Sequence, residues 1–329
     1  MNQRSREQVK RVAVVIAGIA ALLTLRSPFA ETDLPVERVL ESGQAEMIDL
    51  MLMAPASGRL VLVQKNMATI LAVSDGRPME TLSLSSQPTA LAFDAHSDKA
   101  LIALGHENLL VIADLETIQS KAELASAVDF PSLAAFDPAS GGFIVASRHN
   151  PGLGMVSTAG NLEIAASTEE PLAALSTSGR GWLFAAAAGS PVIYVFDSLS
   201  LRDLGIMPAP GCETPSDMAL DDMERRLYLS CTNGLFLVLD SDTGVVLSRQ
   251  HLPAAGTSRL ALRTLRERTV QAILLAQGGY LAVIEGRIMA TGIRSVYRSP
   301  VDAHGLQAEQ GGGRVFLASG SGISVLDLK

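Results

Sequence analysis

One recurrence constrains this chain more than any other feature. Seven short apolar stretches end on an acidic residue or a serine: LAVSD at Asp75, LVIAD at Asp114, GMVS at Ser157, IYVFD at Asp197, FLVLD at Asp240, LAVIE at Glu285 and SVLD at Asp327. Neighbouring endings are 39 to 45 residues apart and average 42. Short strands recurring every 40 to 50 residues or so are the signature of four-stranded β-propeller blades. Other strands fall into register with them. First strands read TALAFD (89–94), SLAAFD (132–137), LAALS (172–176), DMALD (217–221), RLALR (259–263) and HGLQA (304–308). Second strands read RLVLVQ, ALIALG, GFIVAS, WLFAAA, RLYLSC, AILLAQ and VFLASG. The sequence therefore predicts an all-β fold, a seven-bladed β-propeller.

The second strands alternate poorly between apolar and polar residues. That is expected where each sheet is packed between two others and both of its faces are buried. Fourth strands, such as ETLSLS (80–85), are more polar and suit an outer rim. The two ends of the chain complement each other. The last unit, Asp302 to Lys329, holds only three strands, and an orphan strand, Pro35 to Leu40, precedes the first unit. Pairing the two closes the ring and removes an unpaired edge.

Residues 1–30 stand outside this pattern and residues 31–329 form a single domain. Arg4, Arg6, Lys10 and Arg11 precede an uncharged apolar run from Val12 to Leu25, the layout of an export signal. The run is shorter than the ~20 residues that a spanning helix needs. Cleavage after Ala30 is one outcome and retention as an anchor to the inner membrane is the other. Both place the remainder outside the cytoplasm, in the periplasm or beyond, with membrane contact only through the uncleaved segment. The chain carries a net charge of -8 with 18% charged residues and no long basic run, so nucleic acid is excluded as a partner.

The clearest repeat, Arg226-Leu-Tyr-Leu-Ser-Cys231 followed by Leu237-Val-Leu-Asp240 and Thr243-Gly244, resembles the YVTN family of seven-bladed propellers. The likeness runs from about Met47 to Lys329. WD40 repeats are the rival, but Gly105-His106 is followed by no Trp-Asp pair and Trp182 is the single tryptophan. The YVTN resemblance implies a bacterial, often periplasmic propeller, in a family that contains binding proteins and relatives of hydrolases and quinone-cofactor dehydrogenases. Fold by itself does not choose among these.

Candidate chemistry concentrates on one end of the ring. Loops entering first strands and loops joining second to third strands share a face, so their polar residues converge around the axis. They include His106, Glu107, Arg148, His149, Asn150, Glu213, Asn233, Asp302 and His304. Arg148 beside His149 is the pair best suited to an anionic ligand. Cys212 and Cys231 fall in the same blade on this face, and in an exported chain they are expected to form a disulfide.

Other chemistries find no motif. The five histidines lack ligand spacing, and methionines 47, 51 and 53 suit an apolar strand face better than a copper site. No metal or cofactor is expected. There is no Gly-x-Ser-x-Gly elbow, phosphate loop or dinucleotide fingerprint. Arg259, Arg263, Arg266 and Arg268 make one basic segment; Arg266 and Arg268 fall in a first-to-second-strand turn, which reads as a solvated edge, with a docking site for an acidic partner as the alternative. The expected function is a non-enzymatic binding or scaffold module, taking a protein partner or a small anionic ligand on the channel face. A lactonase-like hydrolase, or an accessory subunit of a periplasmic dehydrogenase, is the alternative.

Overall fold

A computed structural model describes most of the chain from Leu50 to Leu328, with Ile48 and the backbone of Thr32–Asp33 and Val36–Leu40. Residues 1–31, the remaining positions before residue 50, and the short stretches 55–58, 73–77, 95, 116–118, 253–254, 257, 265–269, 277–278, 288–289, 300–302, 310–312, 320–321 and 329 lie outside the described residues. The proposed export signal and Asp302 fall among these.

The described strands form seven sheets arranged as a seven-bladed β-propeller. Blade 5 shows the pattern: Pro215–Asp221, Arg226–Cys231, Leu235–Asp240 and Val246–His251 pair in sequence order, each antiparallel to the next. In blades 1 to 5 the order is the same and the first strand is an edge strand facing the axis. Blade 7 takes its fourth strand from the other end of the chain, because Val36–Leu40 runs antiparallel to Gly322–Asp327. Thr32–Asp33 adds a pairing outside the four-strand pattern: it pairs in parallel with Tyr297 and Arg298 on the outer strand of blade 6, Ala290–Arg298. The parallel addition covers the C-terminal end of that nine-residue edge.

Why the second strands are apolar on both faces is now visible. In Arg226–Cys231, Leu227, Leu229 and Cys231 pack with Phe184 and Ala186 of blade 4, while Tyr228 packs with Ala272 and Leu274 of blade 6. Trp182–Ala187 behaves alike, sending Leu183 and Ala185 towards blade 3 and Phe184 and Ala186 towards blade 5. There is one such apolar cluster between each pair of neighbouring blades, seven in all among the described residues. The core is thus a ring of interblade seams around an axial opening.

The repeated aspartates are turn devices. Asp240 Oδ1 accepts from the backbone N–H of Asp242 (3.1 Å) and Thr243 (2.8 Å) and from Thr243 Oγ1 (2.7 Å). Asp197 does the same for Ser200 N (2.9 Å) and Oγ (2.7 Å). At first-strand ends, Asp221 accepts from Met223 and Glu224, and Asp137 from Ser140. Each carboxylate satisfies the N–H groups that a tight turn leaves unpaired. The repeat that revealed the fold therefore marks hairpin chemistry and not a site.

Candidate functional site: the axial channel

Seven first strands meet at the axis and enclose a cavity of about 280 Å³. Its wall is built from the opening residues of those strands, among them Leu50, Thr89, Ser132, Asp217, Arg259 and His304, together with Arg148 from the loop after a second strand. Each inner strand has a free edge, so backbone N–H and C=O groups would face the axis without partners. Several are satisfied by side chains from the neighbouring blade. Thr89 Oγ1 donates to Pro131 O, Ser216 Oγ to Ser258 O (3.3 Å) and Gln307 Nε2 to Met51 O (3.3 Å). Ser258 N donates to Ser216 Oγ at 2.8 Å. These bonds stitch adjacent inner strands where the sheets splay apart.

Three first strands carry a β-bulge at this end, the one in blade 4 between Leu172 and Ala174, and two of them bear on polar side chains. In blade 5 the register slips between Pro215 and Asp217, and in blade 7 between Ala303 and Gly305. A bulge inserts an unpaired residue and turns its neighbours. Asp217 consequently lines the cavity, with Oδ2 accepting from Leu260 N of blade 6 at 2.9 Å and Oδ1 from Met218 N at 2.9 Å. His304 also lines it, and its Nε2 contacts the carbonyl of Ile48 in blade 1.

The charges are the unusual part. Arg148 and Arg259 both line the cavity and both interact electrostatically with Asp217. Among the described residues neither guanidinium makes a hydrogen bond or an ion pair within 4 Å. The main chain of Arg148 is nevertheless pinned: its N–H donates to Ser132 Oγ at 2.8 Å, and Ser147 Oγ accepts from His149 N (3.1 Å) and Asn150 N (3.2 Å). Burial pulls the Arg148 guanidinium below its ordinary range, with nearby Arg259 acting in the same direction and Asp217 opposing. Burial likewise pushes the Asp217 carboxyl up, more than Arg259 and the two backbone donors pull it down. Asp217 is only half-buried by surface area, because water reaches the channel. Protein atoms nevertheless surround its carboxyl, so desolvation dominates.

Among the described candidate residues, Arg148 and His304 line the cavity. His149 points elsewhere, so the adjacent Arg148–His149 pair divides. The His149 ring sits 5.0 Å from Phe130, which stacks edge-on with His106 on its other side, also at 5.0 Å. Glu107 accepts from Ser85 Oγ at 2.6 Å, and Asn150 Nδ2 donates to Asp129 Oδ2 at 3.2 Å. These four residues form a separate cluster over blades 2 and 3. Asn233 holds its own corner, donating to Gly211 O at 2.8 Å beside Gly234, whose φ of +77° a side chain would strain. Glu213 is exposed, and Asp302 lies outside the described residues. Cys212 and Cys231 are buried, with Cα atoms 5.5 Å apart and sulfurs within bonding distance, so the pair is placed for a disulfide.

Asp217 and Arg259 are the residues that reading the loops passed over. Both sit near the start of first strands, PSDMALD and SRLALRT, so a charge at the channel end of an inner strand was the available signal. The basic segment also divides. Arg259 enters the channel, Arg263 is buried at 1% exposure, and 266 and 268 lie outside the described residues. Met51 is buried among Leu60, Leu62 and Phe316, in an apolar packing role. Among the described residues, no group of three or more His, Cys, Asp or Glu is placed to hold a metal ion.

No family model matches the chain, and no curated protein does. Solved structures do match in shape. The chain is similar to U3-55K, with a TM-score of 0.75 at 12% identity over 88% of this chain and 98% of that one. It is similar as well to the WD40 repeats of RRP9, with a TM-score of 0.76 at 13% identity over 91% of this chain and 100% of that one. At such identities the likeness is one of fold. WD40-type propellers share the architecture although this chain lacks the Trp-Asp signature.

Proposed function

We propose that this chain is an exported seven-bladed propeller of the YVTN type that works as a binding or scaffold module through its channel face. Residues 1–30 are its export signal or N-terminal anchor and residues 31–329 its single domain. The observation that carries the reading is the convergence of Arg148, Asp217 and Arg259, from blades 3, 5 and 6, on one cavity. Charge brought to a concave centre from three blades, and left without bonds between its members, is how a recognition surface differs from a structural network. Export is supported by the basic-then-apolar layout of residues 4–25 and by a cysteine pair set to bond in an oxidising compartment.

Two measurements test this. Alkaline phosphatase fused after Lys329 folds only in an oxidising compartment, so a fusion active in cells supports export and an inactive, stable fusion overturns it. Immobilised protein exposed to a periplasmic extract is expected to retain a partner or small molecule that the Arg148→Ala, Arg259→Ala double variant loses. Retention unchanged by the double variant would overturn the channel-face reading. Turnover of an ester or lactone abolished by the same changes would replace binding with catalysis. The disulfide is part of the proposal: unreduced, denatured protein should take up no thiol alkylator, and two modified cysteines would remove it.

A further inference from the structure

We infer that the channel mouth is a site for a small monoanionic carboxylate carrying additional hydroxyl or amide groups, clamped between Arg148 and Arg259. The assignment rests on the binding-module reading and narrows its ligand. Three features of the cavity lead to it.

Charge comes first. Among the described lining residues the formal charges are those of Arg148, Arg259 and Asp217, so with the Asp217 carboxyl ionised one positive charge is unmatched. Asp217 is already committed, since its two oxygens accept from Leu260 N and Met218 N. A single negative charge would balance the site, whereas a dianion would overshoot it. Arg148 is partly desolvated whereas Arg259 is exposed, so a ligand of opposite sign relieves a burial cost chiefly at Arg148.

Geometry comes second. A guanidinium presents a planar fork of donors that matches a carboxylate in bidentate fashion. Here two forks line the cavity without a bond among the described residues, and the Arg148 loop is held by Ser132 and Ser147. The pinned main chain fixes where the Arg148 side chain starts, so the loop itself need not be ordered when a ligand binds.

Size and lining come third. At about 280 Å³ the cavity lies at the low end of ligand pockets and fits a metabolite, not a folded segment. Inner-strand edges and the side chains of Thr89, Ser132, His304 and Gln307 surround it. Thr89, Gln307 and His304 already bond to the neighbouring blade, and the polar capacity left on this wall favours a ligand with hydroxyl or amide groups over a bare aliphatic chain.

The test is calorimetric titration of the purified full chain, at pH 7 and low ionic strength, with lactate, N-acetylglycine, succinate, inorganic phosphate and choline. Lactate or N-acetylglycine is expected to bind at least tenfold more tightly than succinate or phosphate, and choline not at all. Arg148→Ala and Arg259→Ala should each weaken that binding at least tenfold, with Arg148→Lys and Arg259→Lys recovering only part because a point charge replaces a fork. Thermal unfolding without ligand shows whether each variant is folded, and the Lys variants carry the test if an Ala variant is not. Asp217→Asn removes the carboxyl of the site and should move the preference towards succinate. Preference for phosphate, equal binding of all anions, or binding indifferent to both arginines would overturn the assignment. An active phosphatase fusion with a captured partner but no carboxylate binding would overturn this site alone and leave the binding-module reading standing.

Discussion

Arg259 and Arg263 stand four residues apart on one strand, Ser258–Thr264, and have opposite fates. Arg263 is buried and fully used. Its Nε and Nη2 donate to Gln271 Oε1 (2.9 and 2.6 Å), Nη1 donates to Gly313 O (2.6 Å) and Nη2 to Leu328 O (2.7 Å). It thereby ties blade 6 to the third-strand side of blade 7. Arg259, at the channel end of the same strand, makes no such bond among the described residues. One residue type serves two purposes, and the partner inventory separates them: satisfied arginines hold the ring together, unsatisfied ones face what the ring binds.

The network on the opposite face repeats the first pattern. Arg180 donates from Nε to Asp222 Oδ1 (3.0 Å), from Nη1 to Asp242 Oδ1 (2.5 Å) and from Nη2 to Ser241 Oγ (3.1 Å), and it lies 4.9 Å from the Trp182 ring centre. Arg225 donates to the other oxygen of Asp242 at 2.8 Å. Blades 4 and 5 are latched by this group, and nothing in it is left over for a ligand.

The sharpest way to break the contrast is to remove Arg263. Arg263→Ala strands the carbonyls of Gly313 and Leu328 and the Gln271 oxygen in a buried seam, and should cost about 3 to 4 kcal/mol in urea unfolding. A loss under ~1 kcal/mol would show that the bonded arginine is dispensable. Next in size is the cysteine pair. Cys212→Ser with Cys231→Ser opens a loop spanning 19 positions and should lower stability by around 3 kcal/mol. No loss under non-reducing conditions would show that the pair is unbonded in solution.

A smaller effect, with a defined pH dependence, comes from Asp242. Hydrogen bonding from Arg180, then from Arg225, holds its carboxyl below the usual aspartate range against the opposing effect of burial. A depressed acid stabilises the fold above its unfolded value, and that contribution fades as pH falls through the folded one. Asp242→Asn should therefore cost about 1 kcal/mol at pH 7 and nothing once the pH is below the ordinary aspartate range. A cost independent of pH would assign the effect to packing. Asp217 runs the other way: its carboxyl is pushed up, so it favours the folded state less as pH rises through the aspartate range.

Much of the architecture was legible in the sequence because a propeller repeats its local rules. Strand-ending aspartates cap turns in blade after blade, and two-faced apolar strands follow from seams on both sides. Thr32–Asp33 escaped, since two polar residues carry no strand pattern and their pairing exists only because blade 6 leaves an edge nearby. The candidate site was half legible. Loop residues could be assigned to a face, yet adjacency in sequence misled at Arg148 and His149, which the turn held by Ser147 separates. Asp217 and Arg259 were hidden in strands, where a bulge and a seven-fold arrangement, not local sequence, decide which side chains reach the axis.

The smallest expected effect is the most direct test of the whole account. Arg148→Ala and Arg259→Ala, measured by equilibrium urea unfolding without added ligand beside Arg263→Ala, should each leave stability within about 0.5 kcal/mol of the parent or raise it, since residues kept for binding are not kept for folding. A loss of ~2 kcal/mol or more from either channel arginine would make it another structural clamp and contradict the assignment of the channel as the binding site.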